Sequence, residues 1–415
     1  MKVKRLSLRN FRNIEETIFF PDPLINFLIG SNGQGKTSFI EALGFLSTLR
    51  SFRDSKVGNV IRWGSQSSDI SCTLLEDDPE SGDWRTELRI SFQLLDPKNG
   101  KSIKTAYVNE KGFRSSTQYL SQRFKSAALG FHAIIFNPSD HDLVRGDPGI
   151  RRSYLDRVIA AEDVEYLKAL QKYHRILIQR NALLKGGENG SRDVWMGFTQ
   201  QLCTYGSLLA LKRLGWIQRI GPLLTKTLCR IAPQQLLLRM AYISNWIPII
   251  ENLSYNNNNL NSVHFAGQGL APSLKLLEQS FWEKISAYEA AEWRVGHSLI
   301  GPHRDDWSFF LGDQILKGHG SQGEVRSALL ALKLSEIELF RNETGHRPLF
   351  LLDDFSSELD RERRLFLLKF LMETDLQTFV TTTEDSSFVG KQYWVSNGVI
   401  EEGMNDDRRK TVRFD

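Results

Sequence analysis

Two short motifs, more than three hundred residues apart, constrain this chain more than any bulk property does. Gly30-Ser31-Asn32-Gly33-Gln34-Gly35-Lys36-Thr37 is a complete phosphate-binding loop. Leu349-Phe350-Leu351-Leu352-Asp353-Asp354, followed by Ser357-Glu358-Leu359-Asp360, has the form of its magnesium-side partner. Two halves of one nucleotide site set so far apart imply that the intervening chain is an insertion into an ATPase core.

Residues 25–29 are continuously apolar, and Phe39, Ile40, Leu43 and Leu46 follow at helical spacing. The Gly-rich stretch thus lies between a short buried strand and a helix, the context in which such a loop binds phosphate. Glycines at 30, 33 and 35 let the backbone curl so that successive N–H groups point at an anion. The helix N-terminus behind them adds partial positive charge. ATP is the ligand expected along Gly30 to Ser38. Lys36 would reach the β- and γ-phosphates, and the Thr37 hydroxyl would take one Mg2+ position.

Residues 348–352 are apolar without alternation, as a central parallel strand buried on both faces requires. The strand ends in two adjacent carboxylates, which repel each other unless something cationic sits beside them. Asp353 is read as the Mg2+-side carboxylate and Asp354 as the group that orients or deprotonates an attacking water. Asp360 is placed to cap a helix beginning at Arg361.

Upstream, Gly318-His319-Gly320-Ser321-Gln322-Gly323-Glu324 precedes a helix with apolar positions from Val325 to Phe340, which stops at Gly345 before Pro348. Ser321 can serve as an ordinary N-cap with an acidic first turn. Ser321, Gln322 and Gly323 also stand one helix before the carboxylate strand. There the ABC-type ATPases, which this arrangement resembles, carry a signature segment that faces the γ-phosphate held by the other subunit. The resemblance implies an ATP-dependent homodimer that sandwiches two nucleotides. Thr381 to Thr383 end the next apolar strand, where that superfamily commonly has a His that senses the γ-phosphate. Hydroxyls can hydrogen-bond phosphate but carry no charge.

Further marks lie outside the nucleotide motifs. They are Leu6-Ser7-Leu8-Arg9-Asn10-Phe11-Arg12-Asn13, the run Pro138-Ser139-Asp140-His141-Asp142-Leu143-Val144-Arg145-Gly146-Asp147-Pro148 with its continuation from Arg151 to Asp156, and Gly301-Pro302-His303-Arg304-Asp305-Asp306. Taken in order from the first residues to about residue 390, they resemble the RecF family of bacterial recombination and replication-gap repair proteins and its SMC relatives. The resemblance implies a weak, DNA-stimulated ATPase of the DNA-damage (SOS) response. It would bind gapped or junction DNA, both single- and double-stranded, and load recombinase with RecR and RecO. This chain departs from the family in two places: Ser139 stands where an acidic residue is usual, and Glu324 where Gln is common. A carboxylate near a triphosphate is mildly unfavourable, so Glu324 bears on the strength of ATP-driven pairing.

Composition fits a cytoplasmic protein. In 415 residues, 41% are hydrophobic and 25% charged, and no apolar stretch approaches the length of a membrane span. The basic start Met1-Lys2-Val3-Lys4-Arg5 leads into an alternating strand rather than a signal-peptide core. Cys72, Cys203 and Cys229 have no metal-ligand spacing and read as small buried residues. The net charge of +4 is unevenly spread. Residues 101–160 hold 10 Lys and Arg against 5 Asp and Glu, residues 161–230 hold 11 against 5, and residues 301–415 hold 15 against 21. A basic insertion suits contact with DNA phosphates, with Lys104, Lys111, Arg114, Arg123, Lys125, Arg175, Arg180 and Lys185 as candidates.

The expected fold class is α/β: an ABC-type ATPase head, a P-loop core with an attached β-layer, plus an inserted, mainly helical lobe. Residues 1–120 and 301–403 form the head, 121–300 the insertion and 404–415 a frayed tail. Strands are expected over 1–20, 68–75, 84–95 and 103–109, and helices over 154–185, 194–231 and 273–293, the first two as an antiparallel pair. Residues 254–271 read as a polar loop, and 307–316 as a hairpin returning the chain to the core. The helical region is too short for the heptad arm of the SMC proteins. A transporter's nucleotide-binding subunit would share the motor parts but leaves the basic insertion and the motifs near 138 and 301 unexplained. A small-molecule P-loop kinase fits neither the signature turn nor the distant carboxylates.

Overall fold

The computed structural model describes residues 2–53, 57–76, 84–96, 101–122, 131–186, 191–233, 237–248, 263–265, 272–355, 359–383 and 390–402. Arg123, Lys125, Ser357, Glu358, the tail 404–415 and most of the loop 254–271 lie outside them. The chain divides into two compact units, one of residues 1–138 and 340–415, the other of 139–339. The helical insertion expected over 121–300 and the unit 139–339 are therefore not the same stretch. Strand β8 goes with the first unit, and the signature turn with most of its helix goes with the second.

In the first unit, β1 (Lys2–Phe11), β2 (Ile14–Phe19) and β3 (Ile25–Ile29) lead into α1 (Lys36–Thr48). Strands β4 (Ser67–Glu76), β5 (Trp84–Asp96), β6 (Lys101–Val108) and β7 (Lys111–Phe113) follow, then α2 (Ser116–Ser121) and β8 (Ala133–Phe136). Two six-stranded sheets result. One is antiparallel, in the order β2-β1-β4-β5-β6-β7. The other uses the chain's end, β13 (Leu349–Leu352), β14 (Thr378–Thr382), β15 (Lys391–Ser396) and β16 (Val399–Glu402), with α11 (Arg361–Thr374) between β13 and β14. Its order is β16-β15-β3-β14-β13-β8, parallel except for β16. Strands β3, β8, β13 and β14 are buried at every position, which explains their unbroken apolar runs. One core joins both sheets through α1, with Leu6, Phe92, Phe39, Leu43, Leu351 and Phe379 among its members. Asp360 accepts from the Arg363 N–H and caps α11, as its position predicts.

The second unit holds α3 (Asp142–Arg145), α4 (Pro148–Glu162), α5 (Val164–Lys185), α6 (Arg192–Ile231), α7 (Leu274–Ala287), α8 (Glu289–Val295), α9 (Leu316–His319) and most of α10 (Gln322–Thr344). Where the spacing predicts one helix over 154–185, there are two. Asp163 is extended, and its carboxylate accepts from the N–H groups of Glu165 and Tyr166, so it caps α5 and ends the continuity. Helices α5 and α6 pack antiparallel, since Arg180 meets Thr199, Lys172 meets Tyr205 and Glu165 meets Lys212.

A four-stranded sheet completes this unit: β10 (Val263–Phe265), β9 (Leu238–Ile243), β11 (Asp306–Leu311) and β12 (Gln314–Ile315), in that order. The hairpin near 307–316 is present as β11 and β12. It does not return the chain to the parallel sheet, because β11 pairs along its length with β9, a strand that local spacing does not reveal. Strand β10 likewise falls inside the stretch read as loop.

Buried polar contacts tie the motifs near 145–156 and 301–306 to each other. The Arg151 guanidinium donates twice to Asp306, at 2.7 Å each, and Arg213 bridges Asp156 at 2.7 Å and the Pro302 carbonyl at 2.8 Å. Burial pushes Asp305 up to about 7, against hydrogen bonds from Tyr242 and Trp246 and the charge of Arg213. Burial also holds His303 down at about 4. The two linkages have opposite signs. His303 adds stability as pH rises from about 4 to 6.5, because the fold favours its neutral form; Asp305 loses stability as pH rises from 3.8 to about 7, because the fold favours its protonated form. In urea unfolding across that range, Asp305→Asn is expected to gain on the wild type as pH rises, and His303→Gln to lose ground.

Candidate functional site

Strand β3 delivers the chain to Gly30 at the carboxyl end of an interior strand of the parallel sheet, and α1 starts at Lys36 directly after the loop. Two loop glycines are required sterically. Gly35, the N-cap, has φ 107°, a left-handed value that side chains resist. A Cβ on Gly30 would stand 2.4 Å from the Val395 carbonyl of β15. The far side of the loop is fixed at Gln34, whose side chain accepts from the Asn397 N–H at 2.7 Å while its carbonyl accepts from the Gly398 N–H at 2.8 Å. Lys36 folds over the loop and donates to the carbonyls of Gly30 (2.7 Å) and Ser31 (2.9 Å). Burial lowers its pKa, and the charges of Asp354 and Asp353 oppose that shift.

The carboxylates come from two strands away. The Thr37 hydroxyl donates to Asp353 Oδ1 at 2.9 Å, so the two expected magnesium ligands touch. Asp353 is nearly buried, and burial raises its pKa; hydrogen bonds from Thr381 and Thr37 work against that, and Asp354 adds to it. A buried carboxylate and a hydroxyl, both hard oxygen donors, form a set that suits Mg2+. Asp354 has φ 58°, and its N–H donates to Thr381 Oγ1 at 2.8 Å.

A cavity of about 220 Å3 brings these groups together. Asn32, Gly33, Gly35, Lys36, Thr37 and Ser38 line one side of it, and Asp353, Asp354 and Thr381 to Thr383 the other. Three further residues line it: Asn13 and Pro138, which belong to the marks outside the nucleotide motifs, and Arg53, which belongs to none. Asn13, in the β1–β2 turn, accepts from the Ser38 hydroxyl at 3.0 Å and donates to the Gly33 carbonyl at 3.4 Å. Arg53 reaches the Glu41 carboxylate, which is fully buried in α1 and also takes two hydrogen bonds from Arg12.

Ser321, Gln322 and Gly323 belong to the other unit, at the start of α10. Ser321 and Glu324 form a reciprocal capping box: Glu324 Oε2 accepts from the Ser321 N–H at 2.8 Å, and Ser321 Oγ accepts from the Glu324 N–H at 3.3 Å. The ordinary N-cap expected at Ser321 is therefore present.

The basic candidates separate. Arg180 is fully buried, paired with Glu292 at 2.5 Å and bonded to Thr199 and Ser298, so it braces the helices and offers DNA nothing. Lys104 lies in the first unit's antiparallel sheet, donates to the Leu49 carbonyl and covers the Phe45 ring. Lys111 and Arg114, also in the first unit, are exposed, as are Arg175 and Lys185 in the second.

Among P-loop folds, a nucleotide site divided between the two ends of one chain marks the heads of ABC- and SMC-type ATPases, and this fold falls in that class. The family model for the RecF/RecN/SMC N-terminal domain matches residues 2–401. The chain belongs to the RecF family of DNA replication and repair proteins. It is 33% identical to the DNA replication and repair protein RecF of Geotalea daltonii over 383 residues, 92% of this chain and 93% of that one. To the RecF of Geobacter sulfurreducens it is 34% identical over 387 residues, 93% and 94% of the two chains. A solved structure of the recombination mediator protein RecF with ATP, in the RecFOR pathway, is 27% identical and superposes with a TM-score of 0.79 over 97% of each chain. An SMC head bound to the C-winged helix domain of ScpA, 14% identical with a TM-score of 0.52, shares the fold alone.

Filling the narrow space at the loop tests its geometry. Gly30→Ala is expected to cost about 1–3 kcal/mol of stability, through the contact with the β15 carbonyl, and to weaken ATP binding. Denaturant midpoints and equilibrium nucleotide binding measure the two effects.

Proposed function

We propose that the protein is an ATP-dependent DNA-binding factor of recombinational and replication-gap repair, working in the cytoplasm. ATP binding pairs two copies, the pair binds gapped or junction DNA, and slow hydrolysis, stimulated by DNA, resets it. The useful output is a conformational state: contacts to the γ-phosphate form in the pair and vanish on hydrolysis. With RecR and RecO it helps load recombinase on single-stranded DNA, a reading supported by family membership and by the RecFOR pathway named for the solved relatives.

The observation that carries the ATPase part is the hydrogen bond from Thr37 to Asp353, which joins both halves of the site in one cavity. Gly30 to Ser38 cradle the triphosphate, with Lys36 turning from the loop carbonyls to the β- and γ-phosphates. Thr37 and Asp353 would hold Mg2+, whose charge would screen the phosphates. Asp354, a short acid, orients the attacking water. Ser321, Gln322 and Gly323 of a second copy complete the site at the γ-phosphate, where Glu324 weakens the pairing by its charge. Among the described residues no helix is long and apolar enough to cross a membrane, and none of the relatives named above is a transporter.

Analytical sedimentation with and without ATP, and with and without gapped DNA, tests this reading. The wild type is expected to shift from monomer to dimer with ATP and to bind DNA more tightly, while Lys36→Met does neither. Ser321→Arg is expected to bind ATP as a monomer and fail to pair. A wild type whose mass and DNA affinity ignore ATP would sink the proposal, and loss of ATP binding by Ser321→Arg would remove the in-trans assignment.

A further inference from the structure

Thr381 sits on the strand between the two halves of the nucleotide site. β14 lies between β3, which carries the phosphate loop, and β13, which carries the carboxylates. In register, Thr381 is opposite Leu28 of β3, and Val380 is opposite Leu352 of β13, so Thr381 stands level with the first carboxylate. Its side chain is buried, 1% exposed. Its one hydroxyl makes two contacts of opposite sense: it donates to Asp353 Oδ1 at 2.7 Å and accepts from the Asp354 backbone N–H at 2.8 Å. A hydroxyl can do both at once; an amine donor or a carbonyl cannot.

The two contacts have different results. The first, with the Thr37 hydroxyl on the same oxygen, fixes the rotation of the Asp353 carboxylate and leaves Oδ2 outside both hydrogen bonds. The second holds the peptide of Asp354 in the left-handed turn at φ 58°, which determines where its side chain leaves the backbone at the cavity wall. One buried hydroxyl thus sets the aim of both acids. We propose that Thr381 is a positioning residue for ATP hydrolysis: it aligns Asp353 for the metal and Asp354 for the water through their own strand end, rather than by sensing the γ-phosphate. The proposal rests on the functional reading above.

The test compares wild type, Thr381→Val and Thr381→Ser. ATP affinity is measured with excess EDTA and with Mg2+, and steady-state hydrolysis gives kcat and KM. Thr381→Val is expected to bind ATP without Mg2+ within about twofold of wild type. It is expected to lose most of the gain in affinity that Mg2+ confers and to lower kcat by about 10–100-fold, the range for groups that orient metal ligands. Thr381→Ser, which keeps the hydroxyl, is expected to recover both. Thr381→Ala carries the same expectation as Val and serves if the valine methyl against Asp353 prevents folding. The inference is overturned if Val or Ala keeps the Mg2+-dependent gain and kcat, or if Ser is as impaired as Val. A wild type that neither binds nor hydrolyses ATP overturns the functional reading and takes this inference with it. A competent wild type beside an unaffected Thr381→Val overturns the inference alone.

Discussion

The order of strands in the parallel sheet is the constraint on which the site depends. Thr37 and Asp353 are 316 residues apart, and they meet because β14 spaces β3 from β13 by one strand and because all three are parallel. Ligand groups in open parallel sheets gather at the carboxyl ends of strands, and both the phosphate loop and the acids leave from such ends. The arrangement requires a carboxylate where there is little water. Two hydroxyl donors compensate Asp353 in part, and burial still raises its pKa. A site so built favours a divalent cation for the same reason that it disfavours a bare anion.

In the second unit, buried charge is used to hold helices rather than to do chemistry. Arg180 with Glu292, Arg151 with Asp306, and Arg213 with Asp156 are paired and largely covered by the packing around them. Removing one partner of such a pair leaves a charge without compensation, which is far more costly than never having built the pair. This explains why the acid-and-arginine runs near 145–156 and 301–306 read as family marks while lying away from the phosphate loop in sequence. They form a polar lock between segments far apart in sequence.

Much of the nucleotide site was legible because its chemistry is local: a loop that cradles phosphate needs glycines and a lysine at fixed spacing, and a buried strand ending in acids is visible as such. Thr381 was legible as a residue but not as a contact, since its partners come from a different strand. Asn13, Arg53 and Pro138 reach the cavity from separate segments; Asn13 and Pro138 stand in recognisable motifs, but nothing local shows that they face the nucleotide site, and Arg53 stands in no motif at all. β9 was missed because its apolar residues gain meaning only from β11, more than sixty residues on. Arg180 misled for a related reason. A charge count sees eleven cations in residues 161–230 but cannot see that the partner of one of them lies 112 residues away in the core.

The strand that opens the phosphate loop has a further property, which concerns time. Among the described residues its neighbours in the sheet are β14 and β15, made from residues 378–382 and 391–396. On the ribosome, β3 therefore waits for some 350 residues of chain before it can pair, an interval on the order of tens of seconds at about 5–20 residues per second. The second unit, with its sheet and helices drawn from 139–339, can close during that wait. The strand that carries the phosphate loop thus gains its sheet partners late, and a chain ending before residue 378 contains neither of them.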